Sequence, residues 1–301
     1  MKELVIISGK GGTGKTSLTA AFAALARNHL LCDADVDAAD LHLLLHPNVG
    51  KTSDFIGGAK ARIDPENCIG CGICTDLCRF SAISEDFVVD QLECEGCGVC
   101  YAFCPEEAIA FEPRKCGQWF ISSTRFAPMV HARLGIAEEN SGKLVSLIRK
   151  QAQELAESQD LRLIITDGPP GIGCPVIASI SGATAALIVV EPTVSGLHDM
   201  SRVAELAAHF NIPALVCINK FDLNPEMTAT IESEALQRDL ILAGRIPFDP
   251  IFVKAMVQGQ TVIEYAPDSE IVSIVDAVWQ RISSSEPLNQ KEAKQFLPIF
   301  K

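Results

Sequence analysis

Basic residues are scarce in this chain. Its 25 lysines and arginines stand against 38 acids, for a net charge of −13. A surface of that sign repels a phosphate backbone, which excludes general nucleic-acid binding. Long apolar runs are also lacking. The longest, such as Ala20–Ala26 and Ala185–Val190, fall far short of the roughly 20 residues that a membrane helix needs. Met1 is followed almost at once by a strand-like segment, Leu4–Ile7, with no charged and apolar leader, so no signal peptide is expected. Cysteine, by contrast, is plentiful. Eight of the twelve stand at metal-ligand spacing, which requires thiols kept reduced, so the expected location is cytoplasmic. With 301 residues, 48% of them hydrophobic, the chain can bury a core of a large domain plus a small one. Helix-length and strand-length apolar segments alternate along it, which predicts an α/β architecture.

The first motif is Gly9-Lys10-Gly11-Gly12-Thr13-Gly14-Lys15-Thr16, followed by Ser17. It fits G-x-x-x-x-G-K-[ST] and lies between the predicted strand Leu4–Ile7 and a predicted helix, Ser17–Asn28, as a P-loop must. Glycines there let backbone N–H groups converge on phosphate oxygens, and the helix terminus adds its dipole. Lys15 is expected to reach the β- and γ-phosphates and Thr16 to ligate Mg²⁺. The next predicted strand, Leu30–Cys32, runs into Asp33-Ala34-Asp35-Val36-Asp37. Asp37 and Asp40 are expected to cap a helix over Ala38–Leu45. Leu161–Thr166 reads as a buried strand leading into Asp167-Gly168-Pro169-Pro170-Gly171, a Walker B carboxylate and its loop, with Asp167 holding Mg²⁺ through water. Further strands are expected at Ala185–Val190 and Ala214–Ile218, the second ending in Asn219-Lys220.

The second lysine, Lys10, gives the loop the form G-K-G-G-x-G-K-T. That resembles the deviant P-loop of the MinD, ParA, Mrp and nitrogenase iron protein superfamily. The resemblance extends over residues 1–50 and 160–260, and implies a P-loop NTPase fold with a mostly parallel sheet flanked by helices. It implies ATP as ligand and a nucleotide-dependent homodimer in which Lys10 contacts phosphate across the interface. Asp35 then matches the switch I aspartate near the attacking water, Gly171 a γ-phosphate sensor, and Asn219 the base-recognition asparagine that pairs with adenine. Arg245-Ile246-Pro247-Phe248 is similar to the segment that lies against the base.

Between these motifs sits Cys68-x2-Cys71-x2-Cys74-x3-Cys78, then Cys94-x2-Cys97-x2-Cys100-x3-Cys104-Pro105. Each cysteine of the second array lies 26 residues after its counterpart, an internal duplication. The spacing resembles that of bacterial two-cluster ferredoxins, which implies two [4Fe–4S] clusters in a small α+β module over residues 61–112. In that pattern the fourth cysteine crosses over. The first cluster would take Cys68, Cys71, Cys74 and Cys104, and the second Cys94, Cys97, Cys100 and Cys78. Zinc is disfavoured, since its motifs separate two C-x2-C pairs more widely. Arg79 stands where the bacterial pattern has proline, and a cation there should ease reduction of the second cluster. Ala82–Ile83, Phe87–Val89 and Ala108–Phe111 are expected to supply the module's small strands. Residues 1–60 and 113–301 then form a discontinuous ATPase domain. Residues 62–112 hold eleven acids and two arginines, a charge of −9 that would steer a basic redox partner or simply solvate the module.

Three functions follow from these motifs: nucleotide-gated electron transfer to a redox protein or paralogous chain, a positioning or regulatory ATPase with structural or redox-sensing clusters, and cluster delivery. No C-x2-C follows the ATPase motifs, as cluster carriers would need, and Phe296–Phe300 is too short and proline-interrupted for stable membrane insertion. Four cysteines remain. Cys32 and Cys217 lie in apolar strands and read as core. Cys174 follows Asp167 by seven residues, the offset at which the nitrogenase iron protein carries a cysteine of its bridging cluster. It reads either as a small apolar packing residue or as a thiol near a dimer axis, and Cys116 is a candidate for the same interface.

Overall fold

The computed structural model describes residues 1–135 and 141–289. Two compact units emerge among the described residues, one comprising 1–52, 120–132 and 141–289, the other 53–119 with 133–135.

The larger unit is an α/β fold. Its strands are β1 (Lys2–Ser8), β2 (His29–Asp33), β5 (Pro128–Leu134), β6 (Leu163–Pro170), β7 (Ala185–Val190), β8 (Ala214–Asn219) and β9 (Ile241–Ile246). With β3 (Asn48–Ile63) and β4 (Ile109–Ser123), the strand order is β3-β4-β5-β2-β6-β1-β7-β8-β9. The pairs β2/β5, β2/β6, β1/β6, β1/β7, β7/β8 and β8/β9 are all parallel. A parallel sheet covered on both faces needs apolar residues at every position rather than alternate ones, and β1 and β7 meet that need. Successive side chains then serve opposite cores. Leu4 and Ile6 pack with Leu187, Leu215 and Cys217 on one face, while Val5 and Ile7 pack with Ile188, Val216 and Ile218 on the other.

The first face is closed by α1 (Lys15–Leu25), α2 (Leu41–Leu45) and α11 (Glu270–Ser283), where Phe22 stacks on Trp279 with ring centroids 5.4 Å apart. The second is closed by α6 (Cys174–Ile180), α7 (Val194–His209) and α8 (Pro225–Gln237). Around Glu3 a buried polar network ties β1, β6, α5 (Ser141–Ser158) and the end of α6 together. Arg149 donates to Glu3 Oε1 at 2.9 Å and to the Ala178 and Ser181 carbonyls at 2.8 and 2.9 Å, and Thr166 Oγ1 donates to Glu3 Oε1 at 2.8 Å. With each guanidinium nitrogen engaged, the charges are tolerable so far from water.

Some expected boundaries shift. The first helix starts at Lys15, two residues early, and ends at Leu25. α2 begins only at Leu41; Asp40 takes its N-cap position but makes no side-chain capping bond, so the capping expected of Asp37 and Asp40 does not occur. Of β4 only the start, within the strand expected at Ala108–Phe111, was foreseen; β3, β5 and the helix α5 were not.

The smaller unit holds α3 (Ile73–Leu77) and α4 (Val99–Ala102), one for each cysteine array. Gly72 and Gly98 precede them with φ of +79° and +75°, a region open to glycine at little cost. The duplication is thus visible in the backbone. Ile83 and Val89 form an antiparallel bridge, and Ala61, Cys74, Ile83 and Ile109 make a small core with Phe87 and Phe111 packed against it. Lys60 donates to the Gln91 carbonyl. The tail at Phe296–Phe300 lies outside the described residues.

Candidate nucleotide site and cysteine cavities

The P-loop leaves the C-terminal end of β1 and enters α1. Glycine is required twice for space. A Cβ on Gly9 would sit 2.1 Å from Asp199 Cβ, and one on Gly14, at φ +86°, would sit 2.4 Å from Asn219 Nδ2. Lys15 follows, 6% exposed, with its Nζ 3.2 Å from Asp35 Oδ2 and 3.5 Å from Asp167 Oδ1. Burial alone would lower the Lys15 pKa, but Asp167 and Asp35 outweigh it and the ammonium is held charged. One helical turn brings Thr16 and Thr19 beneath the same carboxylate. Thr16 Oγ1 donates to Asp167 Oδ2 at 2.7 Å, and Thr19 Oγ1 lies 3.0 Å from Asp167 Oδ1.

Asp33, the last residue of β2, pairs in register with Asp167 of the adjacent β6. Asp33 is fully buried; its Oδ1 accepts the Asp35 N–H at 3.3 Å, while Oδ2 has no partner. Burial and then the neighbouring Asp167 push its pKa well up. Burial likewise raises Asp35, against the pull of Lys15. Three carboxylates thus converge on one ammonium, with Asp33 Oδ2 and the Thr13 hydroxyl buried and unpartnered. That donor set suits a hard cation and phosphate oxygens.

Beyond the loop, a cavity of about 190 Å³ is lined by Gly12, Gly14, Ser17, Asn219 and Pro247 among others, with Phe248, Phe252 and Met256 as apolar walls. Sequence reasoning assigned Asn219 to the base. Asn219 does line this cavity, and its amide also braces the P-loop, Nδ2 donating to Thr13 O at 2.8 Å and Oδ1 accepting the Lys220 N–H at 3.1 Å. Gly171, expected to sense phosphate, donates its N–H to Ser8 O at 2.8 Å. Lys10 rests within its own chain, 3.6 Å from Glu191 Oε2 and 3.4 Å from Ser195 Oγ. Thr19 was missed, although a hydroxyl four residues after Lys15 falls on the same helix face.

The family profile described as the CobQ/CobB/MinD/ParA nucleotide binding domain matches residues 4–262. The chain belongs to that family. An uncharacterised protein of Methanocaldococcus jannaschii, MJ0578, is 36% identical over 225 residues, which is 74% of this chain and 79% of the relative. The cell division ATPase MinD of Pyrococcus furiosus has a similar fold, with a TM-score of 0.58 at 18% identity over 94% of this chain and 98% of that one. MinD of Pyrococcus horikoshii, complexed with Mg-ADP, gives 0.57 at 18% over 94% and 96%. The α/β P-loop NTPase fold is therefore shared with MinD. Among the described residues no helix is long and apolar enough to cross a membrane.

In the smaller unit, Cys68, Cys71, Cys74 and Cys104 line one small cavity. Cys78, Cys94, Cys97 and Cys100 line a second. Each cavity thus takes three cysteines from one array and the fourth from the other. Among the described residues no three or more His, Cys, Asp or Glu side chains gather closely enough to hold a metal ion. A four-iron cube makes a different demand, since each thiolate binds a separate corner and the four must surround a cage. Four soft donors around one cavity fit such a group, and they would hold it through one Fe–S bond apiece. Arg79 is exposed, so water screens its effect on the second cavity. Of the other cysteines, Cys32 and Cys217 are fully buried, and burial pushes Cys217 up to about 12. Cys116 is also buried, its thiol donating to the Gly57 carbonyl, which ends its candidacy for an exposed interface. Cys174 is exposed at the start of α6, so it does not pack as a core residue.

Proposed function

We propose that this MinD/ParA-family protein binds and hydrolyses ATP and couples its nucleotide state to electron transfer through two [4Fe–4S] clusters in an inserted ferredoxin-like module at residues 61–112. The observation that carries the reading is the pair of cavities, each lined by four cysteines with the fourth exchanged between arrays. The clusters, when bound, supply single-electron storage and release. The chain supplies the rest. Eight thiols and the small apolar core around Ile83 and Ile109 fix and shield the two sites. At the other site Lys15 meets the β- and γ-phosphates, Thr16 and Asp167 hold Mg²⁺, and Asp35 orients the attacking water. Such positioning and charge neutralisation is most of what phosphoryl transfer asks of a protein. Lys10 leaves Glu191 and Ser195 to reach phosphate in a nucleotide-dependent homodimer.

The experiment is an anaerobic redox titration followed by EPR, with no nucleotide, ADP or ATP. The reading expects midpoint potentials that move with nucleotide. Normal ATP turnover with unmoved potentials would instead favour a positioning or regulatory ATPase with structural clusters, the reading that the family and the MinD fold support.

A further inference from the structure

Arg125 stands in the tight turn between β4 and β5. Thr124 fixes that turn: its N–H donates to the Ala127 carbonyl at 3.0 Å, and its hydroxyl accepts from the Phe126 and Ala127 N–H groups at 3.2 and 3.1 Å. The guanidinium lies 4.9 Å from the centre of the Phe126 ring and reaches two other parts of the larger unit. Nε and Nη2 pair with the two oxygens of Glu264, Nη2 lying 2.7 Å from Oε2. Nη2 also donates to the Leu44 carbonyl at 2.7 Å and to the Gly259 carbonyl at 3.3 Å. Two Nη2 protons serve three acceptors, so the longest of these bonds is a shared one. The joint is shaped as well as charged. Gly259, at φ +64°, lies so close to His46 that a Cβ there would sit 2.1 Å from the His46 Nε2.

This clamp joins the helix that follows Asp33 and Asp35 to the helix that walls the cavity. Leu44 belongs to α2. Gly259 and Glu264 lie in the turn and in α10 (Val262–Tyr265) directly after α9 (Ile251–Val257), whose Phe252, Val253 and Met256 line the cavity beyond the P-loop. The Gly259 N–H donates to the Met256 carbonyl at 3.0 Å, and the Gln260 N–H to the Ala255 carbonyl at 3.0 Å, so the turn carries the wall with it. Of the seven residues of α9 only Ala255 is buried. A helix with so little packing of its own takes its position from its ends. We propose that Arg125 is a positioning residue of the nucleotide site: by locking the α9–α10 turn to the end of α2, it holds the apolar wall against the nucleoside and plays no part in binding the phosphates. The proposal rests on the nucleotide reading above and adds the residue that sets how tightly the nucleoside half is held. A guanidinium suits the task, since its planar fork fixes direction as well as distance, which an ammonium does not.

Isothermal titration of the anaerobically purified full chain with ADP and with pyrophosphate, each in the presence of Mg²⁺, tests it. Arg125→Gln removes the fork and its charge. ADP affinity should fall about 10-fold, while pyrophosphate affinity stays within about twofold because the P-loop is untouched. Glu264→Gln keeps an acceptor for the capping bond from Thr261 but loses the charge partner. It should weaken ADP relative to pyrophosphate in the same direction and by less, and it carries the test if Arg125→Gln does not fold. A brace that serves stability alone would lower the melting temperature and leave the ADP affinity of both variants unchanged, which would overturn the proposal. So would equal losses for ADP and pyrophosphate, since the damage would then lie in the P-loop. Binding of neither ligand to the wild type would remove the nucleotide reading, and this proposal with it.

Discussion

Thr16 and Thr19 grip the two oxygens of Asp167 from one helix, three residues apart. On the reading above, Thr16 turns its hydroxyl to Mg²⁺, and Thr19 is left to keep the carboxylate aimed. The Thr19 hydroxyl has one proton, shared with Lys15 O at 2.9 Å, so its grip is modest. Thr19→Val preserves shape but removes that hydroxyl; the Mg²⁺ concentration for half-maximal ATPase rate should rise about 10-fold, consistent with one bond to a charged group. Thr19→Ser should restore it, which a purely structural role would not demand. Asp35→Ala should bind ATP and Mg²⁺ but not hydrolyse, and should accumulate as an ATP-bound dimer in size-exclusion chromatography. A variant that stays monomeric with ATP would refute the dimer. Thr19 lies outside the motif, but Thr16, Asp35 and Asp167 were legible in the sequence because phosphate chemistry fixes their types and spacing. The brace made by Asn219 was not, because an amide at a strand end looks the same whether it faces a base or a loop.

At the scale of the element, β2 and β5 pair in parallel and each carries a buried histidine. Burial lowers both His29 and His131 to about 4 from an ordinary 6.5. His131 has one partner, Ser122 Oγ at 2.9 Å from its Nε2, and the Nε2 of His29 has none. The unfolded chain therefore binds more protons than the fold between these values, so stability is intact above about 6.5 and lost as pH falls toward 4. The loss should approach ~3 kcal/mol for each ring. Urea midpoints measured from pH 7 to 4.5 should fall accordingly, and a His29→Leu variant should show roughly half the slope. An unchanged slope would mean that His29 is hydrated. The central strands were legible because they are buried on both faces and read as unbroken apolar runs. β3 was not. Its first five residues are all exposed, and in the alternating half that follows glycine takes an inward position at Gly57 while Ile56 points outward, so the sequence does not show the alternation that the structure has.

Across the whole molecule, the P-loop motifs and the two cysteine arrays fall in separate compact units. The arrays were legible because one residue type recurs at fixed intervals and the whole pattern repeats 26 residues on. Their surroundings were less so, since Gly72 and Gly98 direct the short helices through backbone angles that no side chain announces. The central claim is that the arrays hold two four-iron clusters with exchanged fourth ligands. Iron and sulfide analysis with EPR of the reduced protein, compared for wild type, Cys78→Ser and Cys104→Ser, tests it most directly. The account predicts two clusters in the wild type, loss or alteration of the Cys94-Cys97-Cys100 cluster in Cys78→Ser, and of the Cys68-Cys71-Cys74 cluster in Cys104→Ser. Zinc in place of iron, or damage in each variant to the cluster of the mutated cysteine's own array, would contradict it.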